Sequence, residues 1–272
     1  MKRILTVQDI SCVGKCSLTV ALPIISAMGI EACILPTAVL ATHTAFSEFT
    51  FHDLTDEMET ITDSWGRQNI DFDAIYTGYL GSQKQIDTVI DIFSRFGNGK
   101  LKLVDPAMAD NGKLYAGFAP DFPKAMAKLC AKADVIIPNM TEACFLLGRE
   151  YKAFGYDESY VKELLVSLTS LGCKRAVITG VSFDGKTLGF YGYDSEKNEF
   201  FSYTRDEITK HYHGTGDVFA SVCFSSLVKG SSLLDACTQA ADFVCEAIIA
   251  TMSDDRPIEY GVHFEKVLGS LK

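Results

Sequence analysis

The chain has 272 residues, 47% hydrophobic and 22% charged, enough to bury the sheet of one large α/β domain. A formal charge of −10 argues against a broad nucleic-acid surface, and no run of 18 apolar residues offers a membrane span. The start runs straight into a strand pattern without a cleavage-site signal, and the nine cysteines are scattered with no C-x-x-C pair, so the expectation is a cytoplasmic protein with reduced thiols.

Residues 3–7 read as a strand ending at Gln8 and Asp9, with a small-residue loop over 11–15 behind it. Leu18, Leu22, Ile25 and Met28 follow helical spacing, and Pro23 is expected to kink that helix or end its first turn. Short apolar runs at 32–35 and 38–40 precede the polar loop Ala41-Thr42-His43-Thr44-Ala45-Phe46, and Leu54, Met58, Ile61 and Trp65 mark a second helix. A strand at 73–77 leads through Gly78-Tyr79-Leu80-Gly81-Ser82 into a helix reaching Phe93. A strand at 100–104 ends in Asp105-Pro106, and 107–113 is a loop. Helices over 122–129 and from Pro138-Asn139 onward flank a strand at 134–137; a helix at 161–171 precedes a strand at 175–178 that runs into Thr179-Gly180. Such alternation argues for a parallel sheet covered on both faces.

Asp9, Gly78-Tyr79, Asp105, Asn139 and Thr179 each stand where a strand is expected to stop. In an open parallel sheet those ends share one edge, where ligands bind, so one site can collect all five.

His213-Gly214-Thr215-Gly216-Asp217 opens an apolar segment with helix-like composition over 220–228. Two glycines let backbone N–H groups turn toward one point, and a helix N-terminus holds an anion. Asp217 falls in the first turn, where the helix dipole is expected to keep a carboxylate ionised, ready to take a proton from an alcohol attacking a phosphate. His213 is expected to be a hydrogen-bonding neighbour. A polyphosphate substrate in so acidic a chain would demand a metal ion.

Residues 180–187 match the P-loop pattern G-x-x-x-x-G-K-[ST] letter for letter. That mechanism requires a helix directly after the Lys-Thr pair. Here 188–193 and 199–203, around a turn at 194–198, read as an aromatic hairpin, so the P-loop reading is set aside.

Together these motifs resemble the pyridoxal kinase group of the ribokinase-like superfamily over nearly the whole chain. Gly214-Thr215-Gly216-Asp217 resembles the family's anion hole and base, and Asp105-Pro106-Ala107-Met108-Ala109-Asp110 its Asp-Pro-Val-Met-Gly-Asp segment. Asn139-Met140-Thr141-Glu142 is similar to its Asn-x-x-Glu metal motif, Thr42-His43-Thr44 to its Asn-His-Thr loop, and Gly78-Tyr79-Leu80-Gly81 to its Gly-Tyr-Leu-Gly turn.

The resemblance implies a ribokinase-like three-layer α/β/α sandwich with a central, mostly parallel sheet, one domain over 1–272 and no separate lid domain. It implies ATP-dependent phosphorylation of the 5′-hydroxymethyl of pyridoxal, pyridoxine or pyridoxamine. Asp217 would be the base and Gly214, Thr215 and Gly216 the phosphoryl cradle. Asp9, His43, Thr44 and Tyr79 would face the vitamin; Asp105, Asn139 and Thr179, with Gly214 and Gly216, would face the nucleotide. Asp105, Asp110 and Glu142, with Asn139 nearby, would hold Mg²⁺ largely through waters, a monovalent cation such as K⁺ being an open addition. Without a lid, a second subunit is expected to close the site, making a homodimer.

Two positions depart from the family. Many pyridoxal kinases carry serine where Asp9 stands, and Ala109 replaces a glycine before Asp110. The nearest rival, hydroxymethylpyrimidine (phosphate) kinase, usually has a Gly-Gly-Ala-Gly loop after the first strand and cysteine in place of Asp217; neither occurs here. A B6- or nucleotide-binding sensor would need no base, so Asp217 with Asp105 and Glu142 speaks against it.

Overall fold

The computed structural model describes residues 1–210 and 212–271. In chain order the elements are β1 (Arg3–Val13), α1 (Leu18–Ala27), β2 (Glu31–Thr42), β3 (Phe51–Asp53), α2 (Thr55–Arg67), β4 (Ala74–Thr77), α3 (Gln83–Phe96), β5 (Leu101–Val104), β6 (Ala109–Asp110) and β7 (Lys113–Leu114). There follow α4 (Phe122–Cys130), β8 (Val135–Ile136), α5 (Met140–Leu146), α6 (Glu158–Thr169), β9 (Arg175–Val181), β10 (Thr187–Asp194), β11 (Glu199–Asp206), α7 (Thr215–Lys229) and α8 (Leu233–Thr251). Three short 3-10 turns, Ile258–Tyr260, Phe264–Lys266 and Leu268–Leu271, come last. The fold class is α/β, with mostly parallel strands and flanking helices. The contacts divide into two compact units, Met1–Gly78 with Ile208–Lys272, and Tyr79–Glu207.

In the first unit the strand order is β4-β1-β2-β3, the first three parallel and β3 antiparallel. Ile4, Leu5, Val7 and all of β4 are buried, as expected for strands covered on both faces. Helix α7 is buried along most of its length and packs on α1 and α8. Its small residues Ser221, Ser225 and Ser226 are buried, and Gly230, at φ 106, ends it in a left-handed cap.

Three strands overrun the ends read from sequence by three residues or more: β11 regularly, to Asp206, and β1 and β9 through an irregularity. The β1–β4 pairing stops at Val7–Thr77, but β1 continues to Val13 on β2 alone. Across that point β1 takes two steps, Gln8 to Ile10, while β2 takes three, Pro36 to Val39, because Pro36 has no N–H to keep the ladder in phase. Asp9 therefore sits beside a bulge within a strand. Similarly β9 runs past Thr179 to Val181, with Gly180 at φ 72 as the extra residue opposite Gly189 and Phe190.

The second unit orders its strands β5-β8-β9-β10-β11, three parallel and then an antiparallel hairpin. Lys186 leads directly into β10, and Asp184 Oδ1 accepts the N–H groups of Lys186 and Thr187 at 2.8 and 2.9 Å, so the P-loop letters form a hairpin shoulder. The loop expected over 107–113 contains the β6–β7 hairpin. Asn111 and Gly112 both have positive φ, 50 and 74, the conformation an Asn-Gly hairpin turn requires. Five of the nine cysteines are buried, and no described helix is long and apolar enough to cross a membrane.

Candidate active site

Gly214 is the N-cap of α7, in the left-handed region at φ 80. A Cβ there would lie 1.9 Å from the Lys15 carbonyl oxygen, so backbone packing requires glycine. Gly216 differs: nothing lies within 4 Å of where its Cβ would stand, which leaves room over the helix end. The first N–H groups of α7, at the positive end of a 15-residue helix, are of the kind that holds an anion.

Asp217 lies in the first turn of this helix and is partly exposed. Enough protein surrounds it that loss of water pushes its carboxyl up to about 7; Asp9 pushes the same way and the Ser17 backbone N–H opposes. The sequence reading expected the dipole to hold it ionised. Desolvation works against that expectation, and the result is a carboxyl poised near neutrality.

Ser17 was not singled out from sequence. It is 5% exposed, caps α1 at φ 48 and ψ −128, and so adopts a backbone conformation rare for a residue with a side chain. Its carbonyl accepts from Val20 and Ala21, while its hydroxyl favours the ionised form of Asp9 and its N–H that of Asp217. Asp9, also 5% exposed, is raised by burial, with hydrogen bonds from Ser17 and Ser11 and the nearby His43 pulling the other way. Ser11 Oγ donates to Asp9 Oδ2 at 3.2 Å. The Cys16 thiol is raised by burial and by Asp217 and Asp9, so it stays protonated.

His43 is 8% exposed, with Nε2 2.6 Å from the Glu259 carbonyl and Nδ1 accepting the Ala45 N–H at 3.3 Å. Because a carbonyl only accepts, the proton sits on Nε2 and both nitrogens are engaged. The ring lies 5.0 Å from Phe46 and 5.2 Å from His213, tying the 42–46 loop to the turn Ile258–Tyr260. Thr44 beside it is exposed.

In the second unit Tyr79 is half-buried with its ring 5.5 Å from Phe118, and Asp105 follows β5 at 9% exposure. Asn139 and Glu142 form a capping box: Asn139 Oδ1 accepts the Glu142 N–H and Glu142 Oε2 the Asn139 N–H, both at 2.9 Å. Glu142 Oε1 accepts Met108 N–H at 3.1 Å, Asn139 Nδ2 donates to the Ala109 carbonyl at 2.8 Å, and Thr179 N–H donates to Pro138 at 3.0 Å. Burial pushes the Glu142 carboxyl up to about 8 despite these backbone donors. Asp110 is exposed and holds Asn111 through its N–H and Nδ2 at 2.9 and 3.0 Å. Glu142 is thus committed to backbone N–H groups and Asp110 is bonded by Asn111, and among the described residues no three His, Cys, Asp or Glu side chains converge on a metal position. A cage of direct protein ligands does not fit.

Asp9, His43, Thr44, Gly214, Thr215, Gly216 and Asp217 lie in the first unit, and Tyr79, Asp105, Asp110, Asn139, Glu142 and Thr179 in the second. An anion-holding helix end with a near-neutral carboxyl in its first turn, on a mostly parallel α/β fold, defines a phosphotransferase acting on a small alcohol. The chain belongs to the phosphomethylpyrimidine kinase family, whose model matches residues 21–259.

Its similarity extends to solved structures. A Bacteroides thetaiotaomicron protein given the provisional name phosphomethylpyrimidine kinase is 42% identical with a TM-score of 0.95, covering 99% of this chain and 93% of that one. An orthorhombic form of it with pyridoxal is 41% identical over 99% and 95% of the two chains, again with a TM-score of 0.95. Pyridoxal kinase from Lactobacillus plantarum is 30% identical with a TM-score of 0.90, covering 100% and 96%. Pyridoxal kinase of Dictyostelium discoideum is 25% identical over 276 residues, 94% of this chain and 88% of that one.

Proposed function

We propose that this chain, as one kinase domain over 1–272, transfers the γ-phosphoryl group of ATP to the 5′-hydroxymethyl of a vitamin B6 form. The observation that carries the reading is Asp217, near neutrality in the first turn of α7, directly behind the Gly214-Thr215-Gly216 turn. The pyridoxal bound in the Bacteroides relative supports the substrate class.

In the transfer, the substrate oxygen bonds the γ-phosphorus, its proton passes to Asp217, and the bond to the bridging oxygen breaks, ADP leaving with the electron pair. The α7 N–H groups hold the transferring oxygens, and Ser17 keeps Asp217 oriented. Asp9, with Thr44 and Tyr79, is assigned to the vitamin. Asn139 and Thr179 are assigned to the nucleotide. His43 holds the 42–46 loop in place, its nitrogens being engaged. Mg²⁺ held by the nucleotide phosphates and waters, with Asp105 and Asp110 beyond the waters, fits better than a protein cage and would neutralise phosphate charge. Glu142 orders the backbone at 108–109.

A homodimer working in the cytoplasm completes the reading. Its support is the exposed apolar edge at Phe49 and Phe51, 44% and 42% exposed, and the nine free cysteines. A monomer in sedimentation at working concentration would count against the dimer. A second reading, phosphorylation of the thiamin pyrimidine, is favoured by the names of the family and of the Bacteroides relative. ATP consumption measured with each B6 vitamer and with the pyrimidine, with and without Mg²⁺ and K⁺, tests both. The proposal expects turnover on a vitamer and little on the pyrimidine; the reverse removes it.

A further inference from the structure

The segment after α8 carries no motif, yet it reaches the residues that seat the base. His263 is 5% exposed and is held by its own N–H, which donates to Thr251 Oγ1 at 2.7 Å. Its Nε2 lies 2.6 Å from Asp254 Oδ2 and its Nδ1 2.9 Å from Lys15 Nζ. An ammonium only donates, so Nδ1 accepts; the ring proton is on Nε2, directed at Asp254 at the shorter distance, while the Arg256 guanidinium 2.9 Å from Nε2 is held by the same carboxylate. Arg256 shares the Asp254 carboxylate at 2.9 Å, and Glu265 takes a second Lys15 proton at 2.7 Å.

Lys15 is no ordinary surface lysine. Its carbonyl is the atom that forbids a side chain at Gly214, and it also lies 3.1 Å from where a Cβ of Gly261 would stand. Two residues on, the Ser17 N–H and hydroxyl favour the ionised forms of Asp217 and Asp9. One turn, residues 14–17, thereby seats Gly214 through the Lys15 carbonyl and bears on the carboxyl three residues further on.

We propose that His263, oriented by Asp254, is a positioning residue that fixes the 14–17 turn through Lys15 and so holds Gly214 and Asp217 in register for phosphoryl transfer. The proposal rests on Asp217 being the base. The groups bearing on Asp217 are Asp9 and Cys16 together with the Ser17 N–H. Those bearing on His263 are Lys15, Asp254 and Arg256.

The test compares His263→Ala, His263→Asn and His263→Gln. Asn can place an oxygen near the Nδ1 position and keep the Lys15 contact; Gln can place a donor near the Nε2 position and keep only Asp254. Expected for Ala and Gln are a kcat lowered about 10–100-fold with substrate KM within about threefold, an acid limb of kcat/KM moved to higher pH as Ser17 loosens from Asp217, and faster amide hydrogen exchange over 14–17. Asn should stay near wild type in all three. Lys15→Met should reproduce the Ala result and carries the test if His263→Ala does not fold. An Ala variant that matches wild type in pH limb and exchange overturns the proposal, and so does equal loss in all three variants without a limb shift. Full activity in Asp217→Asn would instead remove the assignment of the base, while leaving the exchange result to judge the 14–17 contact.

Discussion

The backbone N–H of Ser17 bears on the carboxylate of Asp217 and, among the described residues, opposes the burial that raises that carboxyl. Its geometry is held against strain: φ 48 in a non-glycine residue costs about 1–3 kcal/mol. The same residue's hydroxyl favours the ionised form of Asp9, so the buried Asp9 and the partly exposed Asp217 share one support.

Asp217→Asn should lower kcat about 10²–10⁴-fold, the usual worth of a general base. In the wild type, kcat/KM should fall tenfold per pH unit below about 7 and level off above, because only the ionised form accepts the proton. Stability runs the other way. A carboxyl whose folded pKa lies above its unfolded value contributes stability at low pH that is lost as pH rises through about 7. Partial exposure keeps the penalty to about 1 kcal/mol, so calorimetry should find the Asn variant roughly 2–4 °C more stable at pH 8 and unchanged at pH 3.

The two glycines of the anion loop should separate in their effects. Gly214→Ala forces a Cβ to 1.9 Å from the Lys15 carbonyl at φ 80, so it should cost several kcal/mol in denaturant unfolding and abolish turnover. Gly216→Ala meets no protein atom and should leave unfolding within about 0.5 kcal/mol of wild type. Its methyl projects where the phosphoryl group is assigned, so kcat should fall at least about tenfold. Equal stability losses in both would show that Gly216 is structural.

The strand–helix alternation and the α7 threshold were legible in the sequence because hydrophobic periodicity and glycine placement are local. Ser17, Lys15 and His263 were not, since their role depends on which carbonyl or carboxylate lies opposite, and that is set by contacts far along the chain. The ends of β1 and β9 were misplaced for a related reason: each loses one neighbour where expected and continues on the other. Asn111-Gly112 carries a hairpin signal that the loop expectation over 107–113 misses. The hairpin after Lys186 excludes the P-loop reading, and Lys186→Ala should keep kcat/KM within about threefold in steady-state assays.

Glu142 is expected to act on order in the 105–112 segment. Glu142→Ala removes a capping-box partner and an acceptor for Met108, a loss of about 2–4 kcal/mol by urea unfolding. Glu142→Gln keeps one acceptor oxygen and should lose about 1 kcal/mol. In both, the Mg²⁺ concentration giving half-maximal rate should stay within about threefold of wild type. A tenfold rise in the Gln variant would mean that the carboxylate meets the ion after all.

Asp9 offers the clearest reading of vitamer preference. Its carboxyl is 5% exposed and raised by burial, so a cation arriving beside it would restore the ionised form and gain a charge-assisted hydrogen bond of about 1.5–3 kcal/mol. Pyridoxamine, with its amine, has more to gain than pyridoxal. Asp9→Asn should therefore cut kcat/KM for pyridoxamine about 10–100-fold and for pyridoxal only a few-fold, and equal losses on both would end the idea. A second effect separates this from general damage. Asp9 raises the Asp217 carboxyl through like charge, so its removal should move the acid limb of the pyridoxal pH profile to lower pH. Lower selectivity for the amine together with a base that works at lower pH is a pair of changes that a merely misfolded variant does not produce.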